Sequence, residues 1–170
     1  VITNSLYEAN DVYNRLLNYT NKVLFFPMDD FITSEVTDIS PEFVIDRLTT
    51  LNKLLGNGKY IVVTNLMGIL RYLPSTKLYK NKIIDINKDM DIDRDDFINK
   101  LFDLGYEKVP VVSRTGEMAI RGYVIDIFPI EFDNPIRIEF WGDTIDSIKY
   151  FDLENQISNT SIYSVKIYPY

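Results

Sequence analysis

The clearest structural pattern of the sequence is the series of predicted β-strands between Gly105 and Asp152. Apolar and polar residues alternate in four segments of this region, namely Gly105-Tyr-Glu-Lys108, Gly116-Glu-Met-Ala-Ile-Arg-Gly-Tyr-Val-Ile-Asp-Ile-Phe-Pro129, Ile136-Arg-Ile-Glu-Phe-Trp-Gly-Asp143 and Ile145-Asp-Ser-Ile-Lys-Tyr-Phe-Asp152. Such alternation is typical of strands with one buried face, and Asp-Asn-Pro and Gly-Asp sequences between them favour turns. The pattern predicts consecutive antiparallel strands at Val109–Ser113, Met118–Phe128, Ile136–Phe140, Ile145–Phe151 and Tyr163–Tyr168.

A strand and one helix precede these segments. Ile83–Ile86 is a short apolar run that predicts a strand. Asp93 is suited to cap a helix that continues to Leu104, and Gly105 stands where a C-terminal glycine is favoured.

The first half of the chain follows a different pattern. Helix starts are predicted at Ser5-Leu-Tyr-Glu8, which forms a capping box, and at Ser40-Pro41. Apolar runs at Val23–Phe26 and Tyr60–Thr64 predict buried strands, and a short helix follows near Leu66. The predicted order αβαβα is that of a parallel sheet with crossover helices.

The predicted fold class is therefore α/β plus α+β. A partial parallel αβαβα layer is followed by a mostly antiparallel β domain with one helix. The predicted boundaries are residues 1–75 for the first domain, 76–155 for the second, and 156–170 for a segment that returns towards the first.

Composition excludes several classes of chemistry. The chain has no cysteine and no histidine, which rules out disulfides, Cys/His zinc sites and Ser-His-Asp triads. Its net charge of −7 repels a phosphate backbone in the absence of a local basic patch. No apolar run is long enough to span a membrane. We expect a cytoplasmic protein without membrane partners, and the strand-like first residues suggest a piece of a longer one.

Metal, nucleotide and acid–base sites are poorly supported. The acidic run from Asp89 to Asp96 resembles a calcium loop, but Arg94 stands where its turn needs glycine and Lys100 where a glutamate closes the site. The glycines match no phosphate-binding motif, and the carboxylate pairs Glu131/Asp133 and Asp143/Asp146 fall at turns. We expect no catalytic residues, cofactor or metal.

One strand has a composition typical of an interaction surface. Ile136, Ile138 and Phe140 alternate with Arg137, Glu139 and Trp141, so the two sets point to opposite faces. Arginine and tryptophan are enriched among binding hot spots. A solvated sheet face with a cross-strand ion pair explains the pattern equally well.

The sequence also resembles a known family over nearly its whole length. The similarity begins with Phe25-Phe-Pro-Met-Asp-Asp30, Ser40-Pro-Glu42 and Arg47. Its most specific part is the ordered series Gly116-Glu, Arg121-Gly, Asp126-Ile-Phe-Pro129, Arg137-Ile-Glu-Phe140, Gly142-Asp, Ile145-Asp-Ser-Ile148, Phe151-Asp152, Gln156 and Ser158. These segments resemble the N-terminal region of transcription-repair coupling factors (Mfd), which share a domain with the excision-repair protein UvrB.

The resemblance implies a non-catalytic module that recruits UvrA to RNA polymerase stalled at a lesion, in nucleotide excision repair. The positions that match the family's UvrA contacts are Lys108, Arg121, Arg137 and Glu139, and replacing Arg137 by alanine is expected to weaken UvrA binding. Contact with other domains of the same protein is a further expectation. RNA polymerase, DNA and the ATP-dependent translocase activity are expected to involve only regions outside this chain.

The first domain resembles a helicase-like module that has lost its nucleotide motifs. UvrB has a long DNA-clamping hairpin after the position of Pro27, whereas here about a dozen residues with Phe31 as the only aromatic lead to Ser40. The alternative is a nucleotide- or DNA-binding fragment of a UvrB-type helicase.

Three positions depart from the family pattern. Lys108 replaces an arginine, Ala119 stands where UvrB has a second arginine, and Tyr123 stands where a small residue is common. If Met118–Phe128 is one strand, Arg121 shares a face with Ile125 and Ile127, which are predicted core residues. A bulge or kink at Gly122 is therefore predicted, since it would bring Arg121 to the surface.

Overall fold

A computed structural model describes residues 1–30 and 40–170 of the chain. These residues form two compact units, residues 1–77 and residues 78–170. The short segment between Pro27 and Ser40, from which we predicted the lack of a DNA-clamping hairpin, consists mostly of residues 31–39, which lie outside the described residues.

The first unit is built on a three-stranded parallel sheet. Its elements are β1 (Ile2–Thr3), α1 (Leu6–Leu17), β2 (Val23–Phe26), α2 (Pro41–Leu54), β3 (Ile61–Asn65) and α3 (Leu66–Ile69). The strand order is β1-β3-β2, with both pairs parallel. The predicted parallel layer with crossover helices is therefore confirmed.

The core of the first unit lies between α1 and the sheet. All four residues of β2 are buried, as expected for a strand of a parallel sheet covered by helices. Ala9 packs against Val23, Phe25 and Val63, and the ring of Tyr13 stacks on Phe25 with centroids 4.8 Å apart. The Ser5 hydroxyl accepts a hydrogen bond from the Glu8 amide at 3.2 Å, as predicted for the helix N-cap.

The second unit is mostly antiparallel. A short helix, α4 (Thr76–Asn81), lies across the boundary between the units and was not predicted. The remaining elements are β4 (Ile84–Asn87), α5 (Arg94–Asp103), β5 (Glu107–Lys108), β6 (Glu117–Arg121), β7 (Val124–Ile127), β8 (Ile136–Trp141), β9 (Thr144–Phe151), β10 (Ser158–Ile162) and β11 (Ser164–Ile167).

The strands of the second unit form two sheets. The larger has the order β10-β9-β8-β7-β6-β5, in which only the β5–β6 pair is parallel. The smaller consists of β11 and β4. Residues 156–170, predicted to return towards the first domain, contain β10 and β11, which pair with β9 and β4 of the second unit.

The main core of the second unit lies against one face of the larger sheet. Ile136, Ile138 and Phe140 are buried, which confirms the predicted alternation along β8. Phe97 and Leu101 of α5 pack in the same core. Full burial of such a side chain contributes roughly 1.5–3 kcal/mol to folding, so this face stabilises the unit. The Asp93 carboxylate accepts a hydrogen bond from the Asp96 amide at 2.8 Å, which confirms the predicted cap.

The predicted strand Met118–Phe128 is wrong, because the chain reverses in its middle. Gly122 and Tyr123 form a two-residue turn between β6 and β7, with Arg121 paired to Val124. The positive φ of Gly122 (58°), without one at Tyr123, is the backbone pattern of a type II′ turn. A full reversal, rather than the predicted bulge, places Arg121 on the face opposite Ile125 and Ile127.

The strand predicted at Val109–Ser113 is also wrong. Only Glu107 and Lys108 pair with β6, and the following residues form a loop. Pro110 has no amide hydrogen for a ladder, so pairing ends there. The loop is held instead by the buried carboxylate of Glu117, which accepts hydrogen bonds from the Ser113 amide at 2.7 Å and from the Arg114 amide at 3.0 Å.

The carboxylate of Glu117 makes the stability of the second unit depend on pH. Burial by itself raises the pKa of Glu117, but the hydrogen bonds from Ser113 and Arg114 outweigh it, so its pKa lies below the ordinary value. A pKa that is lower in the folded than in the unfolded state stabilises the fold above the unfolded pKa, and this contribution is lost as the pH falls through the folded pKa.

We predict that Glu117→Gln lowers the free energy of unfolding by about 2 kcal/mol at pH 7, because the amide cannot accept the same charged hydrogen bonds. The difference from wild type should shrink as the pH falls below about 4.3, the ordinary pKa of glutamate. Urea titrations at a series of pH values measure it. Glu107→Gln is the matched control, since Glu107 is exposed and contacts Arg114 at 3.4 Å. If the free energies of unfolding of wild type and Glu117→Gln differ by the same amount at every pH, the prediction is contradicted.

Candidate functional site

Charged side chains cluster on the face of the larger sheet that is opposite the main core. We call it the outer face and define it by Arg121 of β6, Asp126 of β7, and Arg137, Glu139 and Trp141 of β8. The strand register brings Asp126 opposite Arg137, and places Val124 between Arg121 and Glu139. Residues in register on neighbouring strands point to the same side of a sheet, so the hairpin turn at Gly122 assembles this set.

The centre of the outer face is the carboxylate of Asp126, whose side chain is only 1% exposed. Its Oδ1 accepts a hydrogen bond from Arg137 Nε at 2.7 Å, and its Oδ2 accepts one from Arg137 Nη2 at 2.9 Å. Arg121 Nη2 also donates to Oδ2. Burial of an unpaired carboxylate is strongly unfavourable, whereas a two-pronged arginine pair satisfies it with good geometry.

Arg137 is fixed by further contacts. Its Nη1 donates to the backbone oxygen of Gln156 at 3.1 Å and to Ser158 Oγ at 3.4 Å. The guanidinium also lies over the ring of Phe151, with its carbon 4.7 Å from the ring centroid. The hydrogen bonds to Asp126 raise the pKa of Arg137, against the opposing effect of burial. With 16% of its side chain exposed, Arg137 mainly organises the face.

Glu139 has its own partners on β9. Its carboxylate accepts hydrogen bonds from Lys149 Nζ at 2.8 Å and from the Ser147 hydroxyl. These contacts, led by that from Lys149, hold the pKa of Glu139 below its ordinary value. The register of β8 and β9 shifts between Glu139 and Phe140, so Asp146 is the extra residue of a bulge that brings Ser147 opposite Glu139.

Arg121 and Trp141 are the accessible members of the outer face. The side chain of Arg121 is 45% exposed, and Trp141 is 84% exposed. Tyr123, in the turn beside Arg121, is also exposed, and its backbone oxygen accepts a hydrogen bond from the Phe140 amide at 2.8 Å. The turn at Gly142 and Asp143, which joins β8 to β9, therefore lies at the same end of the sheet as the turn at Gly122 and Tyr123. A shallow cavity of about 390 Å³ on the outer face is lined by Arg121, Val124, Arg137, Glu139 and Gln156.

Lys108 does not join this cluster. It lies on the edge strand β5 in register with Met118, a residue of the main core, so its register position is on the face opposite Arg137. Lys108 is exposed, and no ion pair or hydrogen bond of its side chain is present among the described residues. The structure thus brings together three of the four predicted site residues: Arg121, Arg137 and Glu139.

Ala119 occupies a buried position on the same side of the sheet as the outer face. It packs with Val112, Phe128 and Phe151 in a small apolar cluster of the second unit. The loop after Lys108 contributes Val112 to this cluster. A long arginine side chain would not fit at this position without displacing the loop, which accounts for the small residue.

Asp126 is the site residue that the sequence interpretation missed. The prediction of one continuous strand from Met118 to Phe128 leaves Asp126 without a defined neighbour and therefore without a role. The sequence does contain a signal for its role, since a charged residue between Ile125 and Ile127 is expected on the face of the strand opposite the core. A two-residue turn at Gly122 places Asp126 opposite Ala119, and the separate pairing of β7 with β8 places it next to Arg137.

The acidic run that resembles a calcium loop has other roles. The Asp91 carboxylate accepts a hydrogen bond from the Thr144 hydroxyl at 2.6 Å, Asp93 caps α5, and Asp95 pairs with Arg94 at 3.0 Å. Across residues 1–30 and 40–170, no three acidic side chains are grouped closely enough to hold a metal ion. None of the helices in the same ranges has the length and hydrophobicity that crossing a lipid bilayer requires.

Comparison with known proteins identifies relatives of the whole chain. Three curated transcription-repair-coupling factors are similar over 169 residues, or 98% of this chain: those of Staphylococcus haemolyticus (38% identical), Staphylococcus aureus (37%) and Staphylococcus epidermidis (36%). The chain spans 14% of the length of each of these relatives.

A family model matches the part of the chain that contains the outer face. The match covers residues 84–170, from β4 to the last residue, and the model is described as the UvrB interaction domain. These residues include both sheets of the second unit and all of the charged cluster. The chain therefore belongs to the UvrB interaction domain family.

Proposed function

We propose that the outer face is a docking surface for UvrA, within a protein of transcription-coupled nucleotide excision repair. The family membership of residues 84–170 and the similarity to transcription-repair-coupling factors support a repair role. In this proposal the chain recruits UvrA to RNA polymerase stalled at a lesion, while polymerase and DNA are bound by regions outside this chain.

The main support for the proposal is that the charged side chains at the centre of the outer face are held in place without a partner. Asp126 and the backbone oxygen of Gln156 hold the guanidinium of Arg137 in place, so this side chain loses little freedom on binding. Next to them, Arg121 and Trp141 are exposed and belong to the residue types that dominate binding hot spots. A rigid ion pair of Asp126 and Arg137, with the exposed side chains of Arg121 and Trp141 on the same face, suits the binding of a protein partner.

The predicted site residues divide into two roles. Arg121 is the proposed contact for acidic groups of UvrA, with Glu139 and its partner Lys149 as a neighbouring charged pair. The exposed part of Arg137 is a second proposed contact with UvrA, and its ion pair with Asp126 stabilises the outer face. Lys108 is proposed as a peripheral contact only, since its register position is on the other face.

The proposal is one of binding without catalysis. The ATP-dependent translocation expected of a full-length coupling factor is assigned to regions outside this chain. In the intact protein, the same outer face is proposed to contact another domain, which would compete with UvrA and regulate recruitment.

We predict that Arg121→Ala weakens UvrA binding at least about thirtyfold, because a hot-spot arginine contributes roughly 2 kcal/mol or more. Calorimetric titration of purified UvrA from the same organism into wild type and variant measures the dissociation constants. Arg15→Ala is the matched control: it removes the same charge from an exposed ion pair with Asp11 in α1. Equal affinities for wild type and Arg121→Ala would contradict the proposed contact.

Arg137→Ala is predicted to act on stability as well as on binding. Removing this partner leaves the buried Asp126 carboxylate with Arg121 alone, and breaking a buried ion pair costs about 3–5 kcal/mol. Thermal unfolding followed by circular dichroism should show a large fall in Tm for Arg137→Ala and a smaller fall for Arg121→Ala, which keeps both hydrogen bonds from Arg137 to Asp126. A Tm within a degree or two of wild type for Arg137→Ala would show that Arg137 does not hold the face together.

A further inference from the structure

Asp126 is bound to two arginines that depend on it to different degrees. Arg137 has three other anchors, namely the backbone oxygen of Gln156, the Ser158 hydroxyl and the ring of Phe151. Arg121 has none of these. Among the described residues, Asp126 is the only hydrogen-bond or ion-pair partner of the Arg121 side chain. The orientation of the Arg121 guanidinium therefore depends on one carboxylate.

The geometry leaves Arg121 able to bind a second carboxylate. A guanidinium has five N–H donors, and the contact with Asp126 uses Nη2. The Arg121 side chain is 45% exposed and lines the shallow cavity of the outer face, so a partner can reach it there. A long side chain loses up to about 2 kcal/mol of rotamer freedom when it is immobilised, and a guanidinium that is already held avoids part of this loss.

We propose that Asp126 is a positioning residue for partner binding: it holds Arg121 in the orientation in which the free donors meet an acidic group of the partner. The inference rests on the proposed docking of UvrA at the outer face. Asp126 is buried and does not touch the partner itself. It acts through Arg121, while Arg137 keeps its place through its other anchors.

A double-mutant cycle in UvrA titrations tests the proposal. Asp126→Asn should weaken UvrA binding about tenfold when Arg121 is present and by less than about twofold when Arg121 is already alanine, because contacting residues are coupled. A purely structural role would weaken binding by the same factor in both backgrounds. Thermal unfolding of each variant identifies the temperature range in which all of them are folded, and the titrations are made there.

A second measurement examines positioning in the wild-type protein, without UvrA and without a buried substitution. The ¹⁵N relaxation of the arginine Nε–H groups reports how rigid each guanidinium is. Arg121, assigned by its disappearance in Arg121→Lys, should be nearly as rigid as Arg137 and clearly more rigid than the exposed Arg15. If Asp126→Asn folds, the Arg121 signal should become as mobile as that of Arg15.

The outcomes separate the inference from the proposed function. An Arg121 side chain as mobile as Arg15 in wild type overturns the inference, whatever UvrA does. The inference alone is also overturned if wild type binds UvrA but Asp126→Asn weakens this binding by the same factor with Arg121 as with alanine at position 121. If the wild-type chain does not bind UvrA, the proposed function fails and the inference fails with it, even if Arg121 is rigid.

Discussion

The buried carboxylate of Asp126 is the interaction on which the outer face of the second unit depends. A charge with 1% exposure is tolerated only with strong partners, and here three arginine N–H groups supply them. Through these bonds β7 is linked to β6 and β8. Through Arg137 the link extends to Gln156 and to Ser158 at the start of β10. One carboxylate thus connects four strands of the six-stranded sheet.

The same carboxylate specifies the strand register. Slipping β7 by one residue would turn Asp126 into the main core and Ile125 or Ile127 towards the solvent, and both changes are unfavourable. The two-residue turns at Gly122 and Gly142, where φ is 58° and 61°, close both hairpins at one end of the sheet. The bulge at Asp146 then keeps Glu139 on the outer face with its partners on β9 while Ile145 returns to the core. Turn chemistry and charge burial therefore act together to place Arg121 and Trp141 on the same face of the sheet as the buried ion pair of Asp126 and Arg137.

Local patterns predicted much of this fold from the sequence. The parallel layer of the first unit followed from apolar runs and helix caps, and the alternation of Ile136–Phe140 assigned both faces of β8 correctly. The errors arose where local signals compete. Gly122 within an apolar–polar alternation is compatible with a bulge or a turn, and the choice is decided by pairing with distant residues. Val109–Ser113 has β-forming residues, but Pro110 and the carboxylate of Glu117 hold it in a loop. The role of Asp126 and the face of Lys108 both depend on register, which the sequence alone does not determine.

We propose that UvrA binds the outer face, which carries the exposed side chain of Trp141. Trp141 is the only tryptophan of the chain and lies within this face, so it is a single reporter. The most direct test is ¹⁹F NMR of the chain labelled with 5-fluorotryptophan, titrated with unlabelled UvrA. We expect one resonance that shifts or broadens until UvrA reaches the stoichiometry of binding, and a smaller response in Arg121→Ala at the same UvrA concentration. An unchanged resonance in a sample in which calorimetry detects the complex would contradict it, since UvrA would then be bound elsewhere.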